Sequence, residues 1–210
     1  SLKKLLKSPA QFKADLDAPK REEKENNSFT EGSLTHSMIL EPNQVREEYA
    51  FFTGLRKAGS DFEEFKERSE GKVIISASQK AKCLAYKRAF DANSIATKLV
   101  SGGEAEQTIC GEIMGVPIKV RFDYINVTDG YGADVKTSSF PVDRESFART
   151  CFQYGYGLSA ALYLTVAEQY YGKTLDFYFL AIAKQELECQ VFKLSKETRL
   201  RGEADMYKAL

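Results

Sequence analysis

Three charged side chains fall in two neighbouring segments that otherwise have the pattern of half-buried β-strands. The first segment, VPIKVRFDYIN, carries Asp123, and the second, GYGADVKTSS, carries Asp134 and Lys136. Successive side chains of a strand point to opposite faces, so Asp134 and Lys136 share a face. If the two strands pair through the turn at TDGYG, two carboxylates and one ammonium converge at one place.

Two carboxylates held close together repel unless a cation lies between them. Oxygen ligands suit Mg²⁺ or Mn²⁺, and a lysine beside such a site can orient or deprotonate an attacking water and neutralise charge developing on phosphorus. The alternative is an exposed salt bridge at a sheet edge. An acidic residue two positions before a lysine also occurs at Glu22, Glu64 and Glu70, all in polar segments. The strand context sets Asp134 and Lys136 apart from these three pairs, and the pattern leaves open both a metal site for phosphodiester hydrolysis and the salt bridge at a sheet edge.

The elements around these strands predict an α/β protein. Short helical pieces flank Ser8-Pro9, a polar loop covers about residues 18–31, and apolar residues recur at helical spacing from SLTHSMIL through VREEYAFF and again over residues 78–100. Three strands follow, in EQTICGEIMG, VPIKVRFDYIN and GADVKTS. Asp143 is placed to cap one long helix, and LDFYFLAIAKQ and ECQVFKL predict two more strands before a terminal helix.

Composition limits the class of protein. A chain of 210 residues is most simply one domain, residues 1–210, and its 30 basic and 30 acidic side chains give no overall field for a polyanion. The four cysteines, without C-x-x-C spacing, argue against a zinc site and indicate reduced thiols. No apolar run suggests a membrane span or a signal peptide, so we expect a cytoplasmic protein.

The motif order resembles that of the PD-(D/E)XK nucleases, and in particular their RecE-like phage and prophage exonuclease branch. The similar segments are SPAQFKADL, EGSLTHSMILEP, SGGEAEQTI, RFDYIN with GADVKTS, and YGLSAALYLTVAEQYYG, which together span nearly the whole chain. The resemblance implies a central mixed β-sheet flanked by helices. It also implies that Asp123 and Asp134 are metal ligands, that Lys136 is the catalytic lysine, and that the Val135 carbonyl is a further ligand.

Two more site residues follow from the resemblance. Glu106, in EAEQTI, matches the upstream acid of the family, with Glu112 as the competing candidate near a turn. His36 is the one histidine of the chain and matches the helix histidine that closes the metal site in this branch. A single histidine on a helix is otherwise a hydrogen-bonded structural residue, which is the alternative for His36.

Candidate DNA contacts lie on the same strands. Arg121 could bind a phosphate or form a surface ion pair. Thr137 and Ser139 continue the strand of Lys136 and could hydrogen-bond phosphates, although threonine is common in strands for packing reasons.

The helix after the lysine departs from the pattern. Relatives carry Gln four residues before Tyr163, whereas this chain has Ser159 there and Gln153 six residues earlier. Tyr163 itself either contacts the DNA backbone or fills the core.

The resemblance thus implies a Mg²⁺-dependent exonuclease, with Mn²⁺ as a substitute, that resects double-stranded DNA ends for single-strand annealing recombination. It leaves a single-strand annealing protein open as a partner and implies a homo-oligomer. The polarity of digestion is not fixed by the residues. The alternatives are a Cas4-like or RecB-like nuclease of other polarity, whose iron–sulfur cluster the scattered cysteines do not favour, and a non-catalytic DNA-binding module of the same fold.

Overall fold

A computed structural model describes residues 2–18, 27–54 and 57–210. Its helices are α1 Leu2–Lys7, α2 Pro9–Asp17, α3 Asn27–Leu40, α4 Val45–Glu48, α5 Ser60–Arg68, α6 Ala77–Asp91, α7 Ser94–Leu99, α8 Arg144–Tyr154, α9 Tyr156–Tyr171 and α10 Lys196–Ala209. Its strands are β1 Tyr49–Phe52, β2 Val73–Ser76, β3 Glu104–Ile113, β4 Val116–Asn126, β5 Tyr131–Ser138, β6 Asp176–Ala183 and β7 Glu188–Lys193. Within these described residues, no helix has the length and apolarity needed to cross a membrane.

The main sheet has five strands in the order β3-β4-β5-β6-β7. Neighbouring strands of this sheet are antiparallel, except that β5 and β6 run parallel. The crossover through α8 and α9 joins β5 to β6. A separate sheet pairs β1 and β2 in parallel. The α/β class and the mixed central sheet expected from the sequence are confirmed.

Helices cover both faces of the main sheet. On one face α8, α9 and α10 pack over a core that includes Phe122, Leu164 and Phe177. On the other face α6 and α7 pack over a second core that includes Phe90 and Leu180. A third cluster joins α3 to α6 and to the small sheet. Because both faces are covered, functional groups reach solvent only where the sheet opens at an end.

Local sequence signals account for several boundaries. The Ser8 hydroxyl caps α2 by accepting the Gln11 N–H at 3.2 Å, as the Ser-Pro pair predicts. Asp143 caps α8, because its Oδ1 accepts the N–H groups of Glu145 and Ser146, each at 3.0 Å. The β4–β5 hairpin closes through Gly130, whose φ of 79° is the left-handed conformation that glycine adopts easily.

Some sequence expectations are wrong. The segment YAFF is not helical but forms β1, because it pairs residue by residue with Val73–Ser76, whose β-branched side chains suit a strand. The loop expected over residues 18–31 ends earlier, since α3 begins at Asn27, and its residues 19–26 lie outside the described part of the chain. The helix expected over residues 78–100 is two helices, with Asn93 capping the second.

The long helix expected after Asp143 is also two helices. Gly155 takes a left-handed φ of 70°, which ends α8 and redirects the chain into α9. This break matters for the site, because it places Tyr156, the first residue of α9, next to Lys136.

The contact between α9 and α10 depends on two facing glycines. A Cβ at Gly202 would lie 2.3 Å from the carbonyl oxygen of Gly157, which is a backbone atom with little freedom to move. The two helices therefore approach more closely than any other residue at position 202 allows.

We expect Gly202→Ala to lower the free energy of unfolding by about 1–3 kcal/mol, as overpacking does in well-packed cores. The gain in helix propensity of alanine over glycine opposes this loss and does not cancel it. Urea unfolding followed by circular dichroism measures the change, with Ala204→Ser on the exposed side of α10 as the control. Unfolding midpoints equal for Gly202→Ala and wild type would contradict the close packing.

Candidate active site

The site lies where β4 and β5 stop pairing. Their backbone pairing runs from Asn126 opposite Tyr131 to Tyr124 opposite Ala133 and ends one residue before Asp123 and Asp134. Beyond this point the Oδ2 atom of Asp123 accepts the N–H of Val135 at 2.9 Å. A carboxylate thus takes the place of a backbone carbonyl, and the strands separate to form the floor of a cleft.

Helix α3 brings His36 to the acidic end of this floor. The Nε2 atom of His36 lies 2.8 Å from Oδ2 of Asp123, and its Nδ1 atom lies 3.2 Å from Oε1 of Glu106. The imidazole therefore bridges two carboxylates from two strands. This placement fits a site residue better than an isolated structural histidine.

Glu106 reaches the site through an unusual backbone conformation. Its φ is 52°, a left-handed value that costs a non-glycine residue about 1 kcal/mol or more. It stands between Ala105, which pairs with Tyr124, and Gln107, which pairs with Phe122, so it lies beside Asp123 across the strands. Its Oε2 atom accepts from Nε of Arg121 at 2.9 Å. Strained backbone of this kind is common at functional sites.

The competing acid, Glu112, lies elsewhere. It pairs with Pro117 toward the far end of β3, about 20 Å along the strand from Glu106. The side chain of Gln169 contacts both its N–H and its carbonyl, at 3.2 and 2.8 Å. Of the two acids that the sequence left open, Glu106 is the one in the site.

Asp134 and Lys136 form the other half of the site. The Lys136 ammonium is in direct contact with the Asp134 carboxylate, and the carboxyl groups of Asp134 and Asp123 lie close enough for each to shift the pKa of the other. Lys136 Nζ also lies 5.3 Å from the ring centre of Tyr156, a cation–π contact. The lysine is thus held between an acid and an aromatic ring.

Burial and charge move the pKa values of the two aspartates apart. Burial raises the pKa of Asp123, but the hydrogen bond and charge of His36, together with Lys136, outweigh it and lower the pKa to about 2. Burial, and then the negative charge of Asp123, raise the pKa of Asp134 to about 7. Close carboxyl groups titrate as a pair in this way, so a proton on the pair resides on Asp134.

The neighbouring carboxylates favour the charged form of both cationic partners. Burial lowers the pKa of His36, but the hydrogen bond to Asp123 and the charges of Asp123 and Glu106 raise it above its usual value. Burial likewise opposes the charge of Lys136, and Asp134 and Asp123 outweigh it and raise the lysine pKa. Lys136 is therefore an ammonium at neutral pH, which suits charge stabilisation rather than proton abstraction.

A cleft of about 710 Å³ opens above these residues. Among the predicted DNA contacts, Arg121, Thr137 and Ser139 line it, and the Arg121 side chain is 66% exposed although it pairs with Glu106. Arg121 therefore forms an ion pair, as one prediction had it, and its side chain is also accessible from the cleft. The contacts of these three residues with DNA stay predictions.

Tyr163 lies on the opposite side of Asp134. Its ring packs 5.2 Å from that of Phe122 and 6.5 Å from that of Phe177, which are contacts of a core residue. It lines a smaller cavity of about 180 Å³ with Asp134, Lys136 and Ser159. Gln153 does not replace the glutamine of the relatives, since its backbone carbonyl contacts Lys3 and its side chain is exposed.

Among the cleft residues that sequence reasoning missed are four aromatic residues and a lysine, namely Phe29, Phe140, Tyr154, Tyr156 and Lys184. Lys184 follows β6 and comes near the site only because Ala183 pairs with Ser138 of β5. The parallel β5–β6 pairing could not be read from the two segments separately. The tyrosines are placed by the break at Gly155, for which the glycine was the one available signal.

The donor set fits a divalent cation. One ligand atom each from His36, Glu106 and Asp123 lies within 4.8 Å of the others, and all three residues are partly accessible. Carboxylate oxygens suit Mg²⁺ and Mn²⁺, and the imidazole adds a ligand that transition metals accept. Asp134 is outside this group of three, but its carboxyl group adjoins Asp123, and Val135 lines the cleft beside it.

Binding of Mn²⁺ should release protons, because His36 must lose its proton to serve as a ligand and its pKa is raised in the protein. A raised pKa means more bound proton at neutral pH, so we expect the metal affinity to increase from pH 6 to pH 8. Calorimetry of chelator-treated protein in two buffers of different ionisation enthalpy measures the protons released. His36→Gln should release fewer protons, and an unchanged proton count in this variant would return His36 to a structural role.

Comparison with known proteins gives a family and a related fold. A crystal structure named "Putative exonuclease" from Eubacterium rectale superposes with a TM-score of 0.61 at 14% identity, over 90% of this chain and 68% of its own. That of SSO0001 shares 17% identity over 99% of this chain and 83% of its own, with a TM-score of only 0.36. No curated protein matches the chain. Residues 1–209 match the family model "PDDEXK-like domain of unknown function (DUF3799)", and the chain belongs to this family.

Proposed function

We propose that this protein is a metal-dependent nuclease that hydrolyses DNA phosphodiester bonds. The observation that carries the proposal is the grouping of His36, Glu106 and Asp123 within 4.8 Å, with Lys136 on the adjacent strand, at the floor of an open cleft. Acidic ligands that can hold a divalent ion, with a lysine beside them, suit phosphodiester hydrolysis.

The residues of the chain divide the work between them. Asp123, Glu106 and His36 would hold a divalent ion, with Asp134 and the Val135 carbonyl as further ligands. Such an ion supplies Lewis-acid stabilisation and a nucleophile at neutral pH. Lys136, held as an ammonium by Asp134, stabilises negative charge on the phosphate oxygens. Arg121, exposed at the cleft, presents a guanidinium fork that suits a neighbouring phosphate.

The finer proposal is an exonuclease of the RecE-like branch that uses Mg²⁺, or Mn²⁺ in its place. The order of the sequence motifs supports it, and so does the name of the structural neighbour from Eubacterium rectale. The substrate would be linear double-stranded DNA ends, and the product would be single strands for an annealing protein. This activity belongs in the cytoplasm of a bacterium or a phage-infected cell.

A cluster-bearing nuclease of the Cas4-like type fits less well. Cys83, Cys110, Cys151 and Cys189 lie on α6, β3, α8 and β7, respectively. In the part of the chain that the structure describes, no cysteine joins a group of metal-binding residues. An iron–sulfur cluster needs four such ligands together.

Lys136→Ala and Asp134→Asn should each abolish Mg²⁺-dependent degradation of linear duplex DNA, by at least about 100-fold in rate, the scale for removing one preorganised charge contact. The two variants should differ in metal binding. Asp134→Asn weakens metal affinity, because it removes a carboxylate, whereas Lys136→Ala keeps it and loses turnover. End-labelled DNA on denaturing gels, with calorimetric titration of Mn²⁺, gives both quantities.

Lys208→Ala, at the exposed end of α10, is the matched control for loss of a lysine. Wild-type protein that binds DNA without cleaving it at any divalent metal concentration would identify a non-catalytic binding module. Digestion at the wild-type rate by either site variant would reject the assignment of these residues.

We further propose that the working form is a homo-oligomer that encloses DNA. Retention of DNA by charge alone needs many phosphate contacts, and each contact weakens as salt increases. This chain has 30 basic and 30 acidic residues and therefore no net positive charge for such a grip. Enclosure by several subunits would retain the strand without a basic surface.

We expect the native mass to exceed the 23.6 kDa of one chain. Protein loaded on a DNA end should digest a long stretch after heparin is added as a trap. Native mass spectrometry and a single-turnover trap assay measure these two properties. A monomeric mass with distributive digestion would reject enclosure and leave the nuclease proposal standing.

A further inference from the structure

Two phenylalanine rings stand exposed at one end of the catalytic cleft. Phe29 on α3 is 72% exposed and Phe140 after β5 is 48% exposed, and both line the cleft. Other phenylalanines, such as Phe122 and Phe177, are buried in the core. Two exposed apolar rings that line the same cleft form a candidate contact surface for a ligand.

A hydrogen-bonded turn fixes the backbone of Phe140, whose ring is exposed. The buried hydroxyl of Ser138 donates to the Phe140 carbonyl at 2.8 Å and accepts the Phe140 N–H at 3.0 Å. The resulting tight turn begins two residues after Lys136 on the same strand. A ring presented by a fixed turn loses little entropy when a flat ligand stacks on it.

A positive charge accompanies the rings. Lys184 lines the same cleft, and its backbone N–H donates to the Ser138 carbonyl at 2.8 Å, which ties the ends of β5 and β6 together. Its ammonium lies 3.0 Å from the hydroxyl of Ser28, next to Phe29. A hydroxyl is neutral and does not cancel the charge, so this end of the cleft offers both aromatic faces and a cation.

This combination matches the chemistry of an unpaired nucleic acid strand. Bases stack on aromatic side chains regardless of sequence, and a neighbouring ammonium contacts the backbone. We propose that Phe29, Phe140 and Lys184 form a base-stacking subsite that receives the unpaired bases of the strand being cut. The inference rests on the proposed nuclease function, and it adds that the strand enters the cleft with its bases unpaired.

The fold also gives the position of the stacked bases. Phe29 and His36 are seven residues apart on α3 and lie on one face of the helix, about 10 Å from each other. Stacked bases rise about 3.4 Å each along one strand. The contacted bases should therefore lie about two to four nucleotides from the phosphate that is cleaved.

The test measures kcat/KM with Mg²⁺ on linear duplex DNA that carries one abasic nucleotide at successive positions from the end, on each strand in turn. Phe140→Ala and Phe29→Ala should each lower kcat/KM on the intact strand by about 5- to 150-fold, the scale for one base stacked on an aromatic ring. An abasic nucleotide two to four positions from the cut should lower the wild-type value similarly. It should have no further effect in the double variant Phe29→Ala/Phe140→Ala, because both stacking partners are then missing.

Phe152→Ala is the matched control, since Phe152 is also 72% exposed but does not line the cleft. Phe140→Tyr keeps an aromatic face and should retain the wild-type dependence on abasic position. Circular dichroism melts verify that each variant is folded.

Three outcomes would overturn the subsite while DNA cleavage by the wild type still supports the nuclease function. They are a flat abasic profile in the wild type, variants at Phe29 and Phe140 that behave like Phe152→Ala, and equal losses on intact and abasic strands. A change of native mass in Phe140→Ala with an unchanged abasic profile would assign the rings to a contact between copies and overturn it too. Wild-type protein that cleaves no DNA would reject the nuclease function and the subsite with it.

Discussion

Three carboxyl groups lie together where β4 and β5 separate, and the chain must compensate their charge. Glu106, Asp123 and Asp134 come from three adjacent strands, and an isolated buried carboxylate would cost several kcal/mol. Cationic and hydrogen-bonding side chains next to the carboxylates offset this cost. Lys136 contacts Asp134, His36 bridges Asp123 and Glu106, and Arg121 pairs with Glu106.

The surrounding elements serve this arrangement. The N–H of Val135 donates to Asp123 and replaces a sheet hydrogen bond, so the strands can part without leaving a buried donor unpaired. Helix α3 adds the imidazole, and the break at Gly155 adds the Tyr156 ring over Lys136. The same parting of strands that allows the carboxylates to meet also opens the cleft for a substrate.

The charge states have a chemical consequence. The strong pairing of Lys136 keeps it protonated, which suits stabilisation of negative charge rather than removal of a proton. The proton of the aspartate pair resides on Asp134, and Asp123 remains an anion beside His36. A cation that enters the site therefore meets one permanent carboxylate and displaces protons from its neighbours.

The sequence by itself determined the elements whose signals are local. The alternation of side chains in β4 and β5 placed Asp123, Asp134 and Lys136 in one neighbourhood, and the Asp143 cap marked the start of α8, because both depend on residues close together in the chain. The positions of Glu106 and His36 came from resemblance to a known motif order, which left Glu112 open as the alternative to Glu106.

Tertiary structure decided what depends on distant segments. YAFF became a strand because VIIS lies beside it, and Lys184 reached the cleft because β5 and β6 pair in parallel. Of the two candidate acids, Glu106 is the one in the site, and its own left-handed backbone conformation places its carboxylate next to His36. These contacts join residues tens of positions apart in the chain. No local sequence pattern predicts them, because they stabilise the protein only once the sheet has formed.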